Sequence, residues 1–240
     1  MSKRNKSPDF KVVSYGSSIS DRVILLFCPF AIPSWQLNLP GLPIRHFRRA
    51  GYRVIAYSYR LEIANKNPDT TLKYLDAIIA DADRRITSFK KGTTVYCFGS
   101  SLGTVLAVNV AAHHEQIKKV VLNLSYYDIA EQILNLPPMI LVSPKRHKSY
   151  ITAGGGADGL HKIFDRYSPA SLLNQLSGKQ VLLYISRKDR LHRYRDTKNL
   201  PIAMKDAGVD LTYYENAHLS HYFSAFRNHL DYKKYMEFLN

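Results

Sequence analysis

Glycines at 99 and 103 bracket a serine at 101 in the run Tyr96-Cys97-Phe98-Gly99-Ser100-Ser101-Leu102-Gly103. A serine hydroxyl is a poor nucleophile until it is presented to a base, beside donors that receive a developing oxyanion. The G-x-S-x-G spacing does this when a strand enters it and a helix leaves it, because the sharp turn holds the serine at its tip. Thr94 to Phe98 is a short apolar, β-prone run. After Ser101, the small residues Gly103, Ala107 and Ala111 recur every four positions, a smooth stripe suited to lying against a sheet. Val105, Leu106, Val108 and Val110 make that segment apolar almost all round, as a buried helix is. A side chain at either glycine would crowd the turn. Ser101 is therefore the candidate nucleophile. The plainer alternative is a serine in an ordinary strand-to-helix turn whose glycines serve only packing.

The elements needed to position such a serine alternate along the chain. Strands are predicted at Phe10 to Tyr15, Arg22 to Phe27, Tyr52 to Tyr57, Thr94 to Phe98, Val120 to Leu124, Val181 to Ile185 and Leu211 to Tyr214. A short basic helix is predicted near Arg45 to Ala50. A longer one starts at Asn67-Pro68-Asp69-Thr70, with Leu72, Leu75, Ile79, Ala82, Ile86 and Phe89 on one face. Further helices are predicted over Asp196 to Ala207, broken or kinked at Pro201, and over Asp231 to Leu239. Near-continuous apolar strands alternating with helices predict an α/β fold, a mostly parallel sheet covered on both faces. Residues 126–176 break the rhythm and are too long for a plain connection, so they read as a small lid or cap within one domain spanning 1–240. Gly154-Gly155-Gly156 in that stretch follows no strand and lacks a Lys-Ser/Thr pair, so it reads as a lid hinge rather than a phosphate cradle.

Composition narrows the classes. At 45% hydrophobic the chain has ample material for a core. No apolar run reaches the roughly 18 residues a membrane span needs. The basic start, Met1 to Pro8, is not followed by a signal-peptide stretch, so a cytoplasmic protein is expected. Cys28 and Cys97 build no disulfide framework and read as core residues. No spacing suggests a metal site, and no cofactor motif is present. Lys and Arg number 34 against 19 Asp and Glu, a formal charge of +15. The basic residues are scattered in pairs without a nucleic-acid-binding module, so a solvated surface is expected, one that at most contacts an anionic membrane surface weakly.

With the Gly99–Gly103 turn and this order of elements, the sequence resembles the α/β-hydrolase fold family from about Val23 to Leu239, the lid excepted. The family's chain order is serine, acid, histidine, each following a strand. The resemblance implies Asp189 as the acid, with Asp128 in reserve. It implies a late histidine as the base. His218 and His221 compete, and His221, with small Ser220 before it and aromatics after, fits the family pattern better. One oxyanion donor would be the N–H of Leu102. The other would come from the loop after Arg22 to Phe27, where Pro29 has no N–H and Ala31 is favoured. That loop lacks the family's usual glycine. The implied activity is that of a serine hydrolase on a small carboxylic ester or acyl substrate. An amidase, peptidase or acyltransferase with the same groups, or a non-catalytic binding protein, are the alternatives. Phe30, Trp35, Tyr126 and Tyr127 are candidates to line an acyl pocket, and Arg187, Lys188, Arg190, Arg193 and Arg195 crowd the loop that holds Asp189.

Overall fold

The computed structural model describes residues 10–29, 43–59, 67–136 and 143–240. The chain runs β1 (Phe10–Tyr15), β2 (Arg22–Phe27), α1 (Ile44–Arg49), β3 (Arg53–Tyr59), α2 (Pro68–Ser88), β4 (Thr94–Ser100), α3 (Gly103–His113) and β5 (Ile117–Asn123). It continues through α4 (Ile129–Leu134), α5 (Pro144–Ala153), α6 (Gly156–Phe164), α7 (Pro169–Leu172), β6 (Gln180–Ser186), α8 (Tyr194–Thr197), α9 (Leu200–Asp206), β7 (Asp210–Asn216), α10 (His221–Leu230) and α11 (Tyr232–Leu239).

The seven strands form one sheet in the order β1-β3-β2-β4-β5-β6-β7. Only β1 is antiparallel to its neighbour; every other pairing is parallel. Side chains alternate across a strand, and the core divides accordingly. Val23, Leu25 and Phe27 of β2, with Val95 and Cys97 of β4, pack under α2, α3 and the helices of 126–176. Ile24, Leu26, Tyr96 and Phe98 pack on the opposite face with Phe47 of α1 and Tyr235 and Leu239 of α11. Helices therefore cover both faces. Both cysteines are buried core residues whose thiols burial pushes up, out of the reactive range.

Local signals explain the main elements. Asn67 caps α2 by accepting the Thr70 N–H at 2.9 Å, and Pro68 fills the first turn. The helix predicted over 196–207 is two helices, α8 and α9, with Pro201 in the first turn of the second. The 126–176 excursion is helical where described; α4 packs on α6, and α7 lies against α3. Gly154 to Gly156 form the turn between α5 and α6, with φ of +80° at Gly155 and +79° at Gly156. No described helix is long and apolar enough to cross a membrane.

The chain steps from β2 outward to β3, then returns to place β4 on the other side of β2. Parallel sheets of this kind bind ligands beyond the carboxyl ends of their strands at such a reversal. The register sets those ends side by side: Phe27 opposite Gly99, Ser100 opposite Asn123, and Ser186 opposite Asn216.

Candidate active site

The turn after β4 is tight because two glycines permit it. A Cβ on Gly99 would stand 2.5 Å from the Gly103 oxygen and 2.6 Å from the Thr104 Cα. A Cβ on Gly103 would overlap the Phe27 carbonyl, 2.6 Å from its carbon, so α3 lies directly on β2. Between them Ser101 has φ of +52°, in the left-handed region. The turn is held by the Ser101 N–H, which donates to the Asn123 carbonyl at 2.9 Å, and by the Ser101 carbonyl, which accepts from the Thr104 N–H at 2.8 Å. Leu102 follows at the N-terminus of α3, where backbone N–H groups have no intrahelical acceptor.

Two loops from farther along the sheet reach this serine. After β6, Asp189 is buried, and its Oδ1 accepts the N–H groups of Leu191 and His192, both at 2.8 Å. Its Oδ2 lies 2.7 Å from His221 Nδ1. After β7, His221 opens α10, and its Nε2 lies 3.1 Å from Ser101 Oγ. With Nδ1–H donated to the carboxylate, Nε2 is free to accept the serine proton. Burial alone would raise the Asp189 carboxyl. The hydrogen bond from His221 and the surrounding imidazoles outweigh it and hold the group below the usual carboxylate range.

No family model and no curated protein matches the sequence. Solved structures do match. An open-form lipase shares 12% identity at a TM-score of 0.65, over 98% of this chain and 95% of that one. Esterase B from Lactobacillus rhamnosis shares 14% at 0.60, over 97% and 87%. An acylaminoacyl peptidase from Pyrococcus horikoshii shares 14% at 0.65 over 96% of this chain, which corresponds to 39% of the peptidase. The chain has the α/β-hydrolase fold.

Within that fold, Ser101, His221 and Asp189 come together in one hydrogen-bonded row, and the competing residues lie elsewhere. His218 is exposed in the loop before α10, its backbone N–H bonded to Asn216. Asp128 caps α4, accepting the Glu131 N–H at 2.9 Å. Ala31, with Phe30 and Trp35, lies outside the described residues. Three of the five basic residues around Asp189 are engaged locally: Arg187 by Glu215, and Arg193 and Arg195 by Asp196 at 3.0 and 3.2 Å.

The α/β-hydrolase arrangement also contains a residue that no motif pointed to. His192 is buried, with its ring 3.9 Å from that of Tyr126 and 4.4 Å from that of His221 between centroids. Its Nε2 lies 3.5 Å from Ser101 Oγ. Burial first, and the neighbouring His221 second, push its pKa down to about 3, so the ring is neutral at pH 7. No spacing signal marks it: it comes in because the Asp189 carboxylate folds the backbone of its own loop inward. Asp189, His192 and His221 are also the one group among the described residues able to offer a metal three ligand atoms within 4.8 Å of one another. The sequence showed no such spacing; the fold assembles it. The Asp189–His221 bond and the two backbone N–H groups on Asp189 already engage the carboxylate without an ion.

The helix that carries His221 was likewise not predicted. Its inner face is polar: His221, Ser224, Asn228 and His229 are buried. They meet a matching set on the sheet. Asn123 Oδ1 accepts from Asn228 Nδ2 at 2.8 Å, and Asn123 Nδ2 donates to His229 Nε2 at 3.2 Å and to Ser100 Oγ at 3.4 Å. Asn123 thus braces the Ser101 turn with its carbonyl and α10 with its side chain.

Proposed function

We propose that the protein is a serine hydrolase that cleaves a carboxylic ester through an acyl-enzyme on Ser101. The observation that carries this reading is the row Ser101 Oγ–His221 Nε2 at 3.1 Å and His221 Nδ1–Asp189 Oδ2 at 2.7 Å, at the tip of a strained turn. Ser101 Oγ bonds to the ester carbonyl carbon while its proton passes to His221 Nε2. Asp189 fixes the imidazole's tautomer and stabilises the imidazolium without taking the proton. The oxyanion is met by the Leu102 N–H, with Ala31 as the second donor in this reading. The tetrahedral adduct collapses, the carbon–oxygen bond to the alcohol breaks, and His221 returns the proton to the departing oxygen. Water then attacks the acyl carbon, gives its proton to His221, and the acid leaves as Ser101 recovers its hydrogen. The 126–176 excursion is the cap of this site.

The same groups serve amide cleavage or acyl transfer, and the structural neighbours include a peptidase as well as a lipase and an esterase. Turnover of p-nitrophenyl esters against the matched nitroanilides separates these. We expect ester turnover, lost by about a thousandfold or more in Ser101→Ala and His221→Ala and kept in His218→Ala. Anilide turnover exceeding ester turnover favours the amidase. Loss in His218→Ala with retention in His221→Ala overturns the assignment of the base.

A further inference from the structure

α10 is built inside out. Its buried positions are the polar His221, Ser224, Asn228 and His229. Of its five exposed positions, four are large and apolar: Tyr222 (60% exposed), Phe223 (69%), Phe226 (47%) and Leu230 (57%). At 100° per residue these four fall within one arc of about 100°, so they form a single stripe about 12 Å long. Water-facing aromatic and aliphatic side chains gathered on one helix face mark a surface that something covers. The stripe starts at the site, since the Tyr222 ring stands edge-on to His221 at 5.5 Å.

Charge identifies the occupant. The fifth exposed residue is Arg227, α10 contains no acidic residue, and exposed Lys233 follows one turn after the stripe. The whole chain carries +15. Two copies at that charge repel each other at a distance, whereas an anionic surface attracts both the molecule and this face. An exposed helix face of aromatics flanked by an arginine, on a molecule of this charge, sits in the headgroup region of an anionic bilayer, apolar side down.

We propose that the apolar face of α10 docks the protein on an anionic lipid surface, with Phe223, Phe226 and Leu230 entering the headgroup region and Arg227 pairing with lipid phosphates. Docking requires no turnover and stands apart from the hydrolytic reading. If that reading also holds, the surface carries the Ser101 site to esters presented by a lipid layer.

The test is cosedimentation of the full chain with vesicles of phosphatidylcholine alone, or with about one-third phosphatidylglycerol, at roughly 0.1 M salt. The proposal expects binding to the anionic vesicles at least tenfold above the neutral ones. It expects a tenfold or greater loss in the triple variant Phe223→Ser, Phe226→Ser, Leu230→Ser, and binding unchanged in Ser101→Ala, so that failure of docking and failure of catalysis read separately. Arg227→Glu, which leaves the apolar stripe intact, is to weaken binding to anionic vesicles and serves if the triple variant does not fold. Wild-type protein that stays in the supernatant overturns the proposal. So does a folded triple variant that binds as well as wild type, which leaves the basic surface alone responsible. A wild-type dimer in sedimentation equilibrium that the triple variant dissolves, with no vesicle binding by either, assigns the face to a second copy instead.

Discussion

Ser101 occupies a backbone region that a residue with a Cβ enters only when its surroundings hold it there. Here the hold is local: the Asn123 carbonyl on its N–H, Thr104 on its carbonyl, and two glycines that let α3 and β2 touch. The contact at Gly103 is with backbone, which cannot swing aside as a flexible side chain can. Gly103→Ala is therefore expected to lower stability by about 1–3 kcal/mol, the usual cost of overpacking. Denaturant unfolding reads this from the midpoint at constant slope. A variant as stable as wild type would mean that the two backbones do not approach so closely. The turn was legible in the sequence because its requirements are local: two glycines at fixed offsets, a strand before and a small-residue helix after. His192 was illegible for the opposite reason. It reaches Ser101 only because Asp189 binds the backbone of its own loop, an interaction with no spacing signature.

At the scale of elements, α10 matters most, since it opens with His221 and its height over the sheet sets where that imidazole stands. Its docking rests on Asn123, which bonds Asn228, His229 and Ser100 at once. Asn123→Ala leaves the Asn228 amide and His229 Nε2 without those partners in a buried setting. A loss of about 1–3 kcal/mol is expected, the cost of orphaned buried polar groups. Under the proposed function, turnover is to fall by about tenfold as His221 loses its fixed position, while KM changes little. Wild-type stability and turnover in this variant would remove Asn123 from its bracing role. Tyr222, Phe223, Phe226 and Leu230 do carry a helical period. What the sequence could not show is that the polar His221, Ser224, Asn228 and His229 are the face turned to the sheet, because the Asn123 they meet lies far away along the chain. The strands, by contrast, were legible because five of them, β2 to β6, are paired in parallel and largely buried, which makes their sequences nearly continuous in apolar residues.

The whole molecule carries a pH dependence. His192 and His229 are both buried and pushed down to about 3 by burial, whereas an unfolded histidine titrates near 6.5. Between those values the unfolded chain binds protons that the folded chain does not. The neutral histidines therefore support stability fully above about pH 6.5, and that support is lost as pH falls toward 3. Each contributes a slope of up to about 1.4 kcal/mol per pH unit in that window. Asp189, whose carboxyl is held below its usual range, adds a further loss below about pH 4, since its unfolded form takes up a proton first. Thermal melts from pH 7 to 4 should show a steady fall, shallower in His229→Gln. A flat profile over that range would contradict the neutral, buried state of both rings.

Everything proposed about chemistry rests on a Ser101 hydroxyl made reactive by His221. Treatment of the folded protein with a fluorophosphonate, followed by peptide mapping in a mass spectrometer, tests it directly. One adduct is expected, on Ser101, absent in Ser101→Ala and slowed by about a thousandfold in His221→Ala. Folded wild-type protein that takes no label, or takes it at another residue, would contradict it.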